Sequence, residues 1–171
     1  MRNLLETIYE KAKVGHAYQS MEDLYYMNKE AMKTDPPLAV EFLKLLSAEC
    51  ERAMRDRSIS GEQVRSIYDL HKRVCLSAAP YDFDSYLLYV EWNRPPDKKF
   101  YPPRRRVLKQ VVDCLQELAD DKLDLLSISL PPGSGKTILA IFFLTWLAGK
   151  IPNEPMLTGS HSNSFVRGSV R

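Results

Sequence analysis

Apolar positions in the first half of the chain recur at three and four residues, the period of a helix that buries one face. Leu4, Leu5, Ile8, Tyr9 and Ala12 make the first such stripe, and Gly15 is placed to end it. Ser20 with Asp23 has the spacing of a capping box ahead of Leu24, Tyr25, Met27 and Met32. Asp35 before Pro36 and Pro37 predicts a third helix running to about Arg57, because the carboxylate caps free amides and proline in the first turn loses no hydrogen bond. Ser60 and Gln63 predict a fourth, with Val64, Ile67, Tyr68, His71, Val74 and Cys75 on its stripe and Pro80 beyond its end. A short helix over 82–92 carries Phe83, Leu87, Leu88 and Val90.

The pattern then changes. Residues 93–109 hold Arg94, Lys98, Lys99, Arg104, Arg105, Arg106 and Lys109 against one acid, Asp97, with four prolines, so a boundary is expected there. The expected organisation is a helical region over 1–92, a basic proline-rich linker over 93–106, and a second domain over 107–171. A helix is predicted over 107–118, and the apolar run 125–130, bounded by turn residues, reads as a buried strand. Next come a glycine turn, a helix over 136–148 that is apolar nearly all round and closed by Gly149, and a possible second strand over 155–158. Strand, glycine turn, helix and strand in that order predict the opening of an α/β fold.

Composition narrows this picture modestly. The 171 residues carry 24 Lys plus Arg against 22 Asp plus Glu, so net charge says nothing by itself about nucleic acid or membrane partners. Hydrophobic residues at 44% predict a globular chain and exclude collagen-like or largely disordered readings. Cys50, Cys75 and Cys114 form no CxxC pair or disulfide framework, which suits a reducing cytosol. The longest apolar run, 138–148, is broken by Thr145 and falls short of the roughly 20 residues a membrane span needs. With no secretory pattern at the N-terminus, a soluble intracellular protein is expected.

Candidate chemistry concentrates in Pro131-Pro132-Gly133-Ser134-Gly135-Lys136-Thr137, between the predicted strand and helix. That context suits a phosphate-binding loop: glycines let backbone amides turn toward phosphate oxygens, Lys136 reaches the terminal phosphates, and Thr137 holds Mg²⁺. The pattern GxxxxGK[ST] departs at its first position, where this chain has Leu130. A bland alternative is a glycine turn that simply opens a buried helix.

The runs FYPPRRRVLKQ at 100–110, LLSISLPPGSGKT at 125–137, IFFLTWLAGK at 141–150 and LTGSHSNSF at 157–165 together resemble the ATPase domain of the phage terminase large subunit, the motor that packages viral DNA. The resemblance covers about the last 75 residues. It implies that Pro132, Gly133, Ser134, Gly135, Lys136 and Thr137 bind ATP, with Mg²⁺ on Thr137, and that the segment ending at Gln110 packs on adenine. It further implies double-stranded viral DNA as a partner, with the segment holding His161 and Asn163 coupling nucleotide to DNA, alongside the small terminase subunit and the portal. Arg104, Arg105 and Arg106 in the basic run are candidate DNA contacts because such side chains neutralise phosphates, with a solvated linker carrying helix-start charges as the bland alternative. No membrane partner is implied, and the location would be the bacterial host cytoplasm.

Hydrolysis in such motors needs a strand ending in Asp and an adjacent Glu, yet the only acid after Thr137 is Glu154. No catalytic residue is therefore assigned, and the family's nuclease acids are missing as well. The chain reads as an N-terminal piece of a terminase large subunit, cut deliberately or from a degraded prophage gene. Its α/β part is expected to be poorly closed, with unpaired strand edges. Two other readings stand beside it: a helical interaction module over 1–92 with a vestigial loop, and a fragment of another P-loop DNA helicase or translocase. His71 and Cys75, four apart on one helical face, could ligate a metal but read more simply as part of a buried stripe.

Overall fold

A computed structural model of the chain describes residues 1–157 and 159. Those residues form seven α-helices and no strand: α1 (Arg2–Lys13), α2 (Tyr18–Thr34), α3 (Pro36–Ala53), α4 (Gly61–Ala78), α5 (Phe83–Val90), α6 (Tyr101–Ala119) and α7 (Lys136–Lys150). The chain divides into two compact units, Met1–Arg106 and Val107–Arg171. Among the described residues no helix is long and apolar enough to cross a membrane.

In the first unit, chain-order neighbours α1 to α5 pack on one another, α1 also reaches α3, and α2 also reaches α4. Leu5 of α1, Leu24 of α2, Phe42 and Leu46 of α3, and Ile67, Leu70 and Val74 of α4 close one apolar core. Tyr9 meets the Phe42 ring edge-on at 6.4 Å. Local signals set most of the starts. The Asp35 side chain accepts from the Leu38 amide at 3.1 Å, and Ser60 with Gln63 completes a capping box. Asp82 caps α5 through the Ser85 amide at 2.9 Å. Gly15 turns the chain after α1 with φ of +60°, a conformation open to glycine.

Several expected boundaries move. Ser20 caps nothing: α2 already begins at Tyr18, and Asp23 accepts instead from the Gln19 side chain at 2.9 Å. Helix α3 stops at Ala53, four residues before Arg57, and α5 ends at Val90 rather than at residue 92. Helix α6 begins at Tyr101, so Pro102 and Pro103 lie in its first turn, where proline costs no intrahelical bond. Its opening amides have a partner from elsewhere in the unit, because the fully buried Glu91 carboxylate accepts from Phe100 N at 3.0 Å and Tyr101 N at 2.6 Å. A side chain ten residues upstream replaces the local cap.

The α/β expectation is overturned: the described part is all-α. Residues 125–130 and 155–157 adopt no regular secondary structure, and Thr158 lies outside the described residues. A strand is stabilised by the ladder it joins, and among the described residues neither segment has a ladder partner. Leu125 is accordingly 84% exposed. Helix α7 runs through Gly149 to Lys150 and buries one stripe, Leu139, Phe143 and Trp146, where burial on most faces was expected; Ile138 and Ile141 stay exposed.

Candidate phosphate-binding loop

Pro131 to Thr137 leads directly into α7. The Ser134 amide bonds back to the Pro131 carbonyl at 3.3 Å, which turns the chain, and Gly133 and Gly135 take φ of +77° and +93°. An L-side chain at either glycine would be strained, which is why glycine stands there. A Cβ added to Gly133 would meet nothing within 4 Å, so the demand comes from the backbone and not from crowding.

Gly135 is the N-cap of α7, and no side chain caps the helix. The first intrahelical bond is Leu139 N to Gly135 O at 3.0 Å, leaving the amides of Lys136, Thr137 and Ile138 without helical acceptors. An anion is the natural complement to such amides and to the positive end of the helix dipole. Lys136 Nζ donates to the Leu130 carbonyl at 2.5 Å, so the ammonium spans the loop from its penultimate residue to the one before its first. Ser134 Oγ is buried with no hydrogen-bond partner among the described residues. Thr137 is exposed.

These observations fit a polyphosphate: free amides, a cation and an unsatisfied hydroxyl lie together in the turn 131–135 and the first three residues of α7. For Mg²⁺ the set is thinner, since Thr137 supplies a hydroxyl and the nearest later acid, Glu154, sits in an exposed turn after α7. Gln110 is exposed on α6 and makes no hydrogen bond to the loop among the described residues.

The three consecutive arginines have three different surroundings. Arg105 bonds Asp84 through Nε at 3.0 Å and Nη2 at 2.6 Å, and its Nη1 pairs with Glu51. Burial works against its charge, but the hydrogen bonds and the fields of Asp84 and Glu51 outweigh it and hold the guanidinium above its ordinary pKa. The hydroxyl of Tyr101 also donates to Asp84, and burial together with that carboxylate pushes the phenol pKa up. Arg105 is thus an internal strut. Arg104 lies over the Phe100 ring at 5.4 Å and bonds the Phe100 carbonyl at 3.1 Å, while Arg106 is exposed. His161 and Asn163 lie outside the described residues.

Within the helical unit, His71 Nε2 and Ser47 Oγ are 2.8 Å apart, and burial lowers the imidazole pKa to about 4. Burial likewise raises the Cys75 thiol to about 12, which makes it a poor nucleophile and ligand. Sequence reading passed over Asp84, Glu51 and Glu91, whose partners are far along the chain. It also passed over Asn28, although an asparagine in line with Leu24 and Ala31 on a helical stripe is a visible anomaly.

Compared with family models, with curated proteins and with solved structures, the chain gives no match in any of the three.

Proposed function

We propose that residues 131–137 bind the phosphates of a nucleotide, ATP by the resemblance, as part of a DNA-packaging motor of the terminase large-subunit type. The observation that carries this reading is the coincidence of the GSGKT motif with a side-chain-free helix start at α7, two glycines at positive φ and an unsatisfied Ser134 hydroxyl. In this reading the amides of Lys136 to Ile138 hold phosphate oxygens. The Lys136 ammonium exchanges its Leu130 carbonyl for a terminal phosphate. Bound nucleotide would bring Mg²⁺, which neutralises phosphate charge, with Thr137 as the side chain able to face it. The exposed Arg104 and Arg106 are available to DNA phosphates, whereas Arg105 is committed to Asp84 and Glu51.

Isothermal titration of Mg-ATP against the wild-type chain and Lys136→Ala tests the reading. Removing a charge-assisted phosphate contact is expected to weaken binding by roughly ten- to a hundredfold. Equal heats, or none from a sample whose helical spectrum is intact, would sink it.

A second reading, that the helical unit binds a further packaging component, is favoured by one feature. Leu76 and Tyr81, large and exposed, flank a single cleft in that unit. Co-purification with the small terminase subunit or the portal, retained by Lys136→Ala, would separate this activity from the nucleotide loop.

A further inference from the structure

We propose that Leu126-Ser127-Ile128-Ser129-Leu130 joins two copies of this chain, by pairing antiparallel with the same segment of a second copy about a twofold axis at Ile128. The pairing is independent of nucleotide binding and involves only the stretch that leads into the loop. Each copy keeps its all-α fold, and the ribbon exists only between copies.

The backbone of this stretch is open. Residues 125–131 adopt no helix, turn or bend, and Leu125, Ser127, Ile128 and Ser129 are exposed. Among the described residues one backbone group of 125–130 is engaged, the Leu130 carbonyl, which accepts from Lys136 Nζ at 2.5 Å. The remaining amides and carbonyls need partners as soon as water is excluded from them. An exposed apolar stretch with such a row of open groups is a template for a strand from another chain.

The order of the side chains fits a second copy of the same segment. Leu-Ser-Ile-Ser-Leu reads the same in both directions. Antiparallel pairing centred on Ile128 therefore sets Ile128 opposite Ile128, Leu126 opposite Leu130 and Ser127 opposite Ser129. Side chains alternate across a strand, so Leu126, Ile128 and Leu130 of both copies share one face and the serines share the other. A slip of one residue sets Leu and Ile opposite Ser and destroys that separation. In a twofold interface each residue also meets its own kind of surface, which makes self-repulsion the first obstacle. Here no charge lies between Asp124 and Lys136.

Lys136 selects between the two hydrogen-bond patterns that this centring allows. The N–H and C=O of one strand residue point to the same side, and successive residues alternate sides. With Ile128 in a hydrogen-bonded pair, the second copy would need the Leu130 carbonyl, which Lys136 already holds. With Ile128 in a non-hydrogen-bonded pair, Ser127 and Ser129 exchange bonds with Ser129 and Ser127 of the second copy, and the Leu130 carbonyl stays with Lys136. That pattern also brings the two Ile128 residues closest, about 4.5 Å between Cα atoms. Pro131, with no N–H to give, ends the ribbon before the loop.

The test is sedimentation equilibrium of the full chain, with amide hydrogen exchange on the same samples. Wild type is expected to form a dimer with a dissociation constant on the order of 100 μM, weak because a two-stranded ribbon is marginal by itself. Ile128→Lys and Ile128→Glu each set like charges opposite one another at the axis and should weaken association by about tenfold or more. Ile128 is 38% exposed, so the helical spectrum of both variants should match wild type. An equimolar mixture of the two variants should restore the dimer, since Lys then faces Glu, a rescue that a merely structural role of Ile128 does not produce. On dimerisation the Ser127 and Ser129 amides should exchange more slowly, with the Ile128 amide unchanged. A wild type that stays monomeric at about ten times that concentration overturns the proposal, as do charge variants that associate like wild type. A mixture no better than its components, or slowed exchange at Ile128 in place of Ser127 and Ser129, overturns it equally.

Discussion

The two units of the chain use apolar residues differently. In Met1–Arg106 most leucines sit where another helix meets them: Leu5, Leu24, Leu46 and Leu70 are fully buried, while Leu4 and Leu76 stay exposed. In Val107–Arg171 equally apolar residues lie open, with Leu125, Ile138 and Ile141 all exposed. Hydrophobicity alone therefore does not bury a residue; a facing element must supply the complementary surface. A helix with one stripe finds that surface in a neighbouring helix. A segment such as LLSISL needs ladder partners on both sides, and among the described residues it has none. The unit with the candidate chemistry is consequently the less tightly packed one.

The contrast can be broken most directly in the core. Phe42→Ala removes a ring packed against Tyr9 and is expected to cost about 3–5 kcal/mol, read from the urea midpoint of helical ellipticity. A loss below about 1 kcal/mol would mean that the core is not a unit. Acid is expected to act next. Burial holds the His71 imidazole near 4, below its ordinary 6.5, so between those values the unfolded chain takes a proton that the folded chain refuses. Stability from this group is fully present above pH 6.5 and drains as pH falls toward 4, by about 3 kcal/mol. His71→Phe should flatten that part of the stability profile, and an unchanged slope would assign it to other groups.

Arg105→Ala strands Asp84 and Glu51 in a partly buried setting and is expected to cost about 2–3 kcal/mol, with recovery when Asp84 is also made Asn. A neutral result would return Arg105 to the list of free cations. The smallest effect sharpens the contrast from the other side. Leu125→Ser, at a residue 84% exposed, should change the same midpoint by no more than about 0.5 kcal/mol.

Much of the helical unit was legible from the residues themselves. Asp35-Pro36-Pro37, the Ser60–Gln63 box and the three-four spacing of Ile67, His71 and Val74 are local signals, and local backbone chemistry decides a helix start. Ser20 misled because a capping pattern inside a helix competes with a neighbouring start, and α2 nucleates one turn's reach earlier, at Tyr18. The start of α6 was illegible for a different reason. Its cap is Glu91, reached through the fold across ten residues, and no spacing rule finds such a partner.

For the candidate site the division is similar. The order of Gly133, Gly135, Lys136 and Thr137 raised the expectation of a phosphate loop by residue type alone, and the positive φ at both glycines is the backbone turn that glycine at those positions permits. The strand expected before it was not decided by residue type, because a strand exists only with its neighbours. The arginine triplet makes the same point in side chains: three identical letters become a stacked residue, a partly buried strut and an exposed cation. The sequence by itself determined the capped starts of α3, α4 and α5, the glycine turn before α7 and the inward stripe of α4, since these depend on residues a few places apart. Only the tertiary structure decided, among the described residues, which charges are spent internally, that Asn28 Oδ1 is buried without a partner, and that 125–130 joins no ladder, since each depends on what distant segments bring alongside.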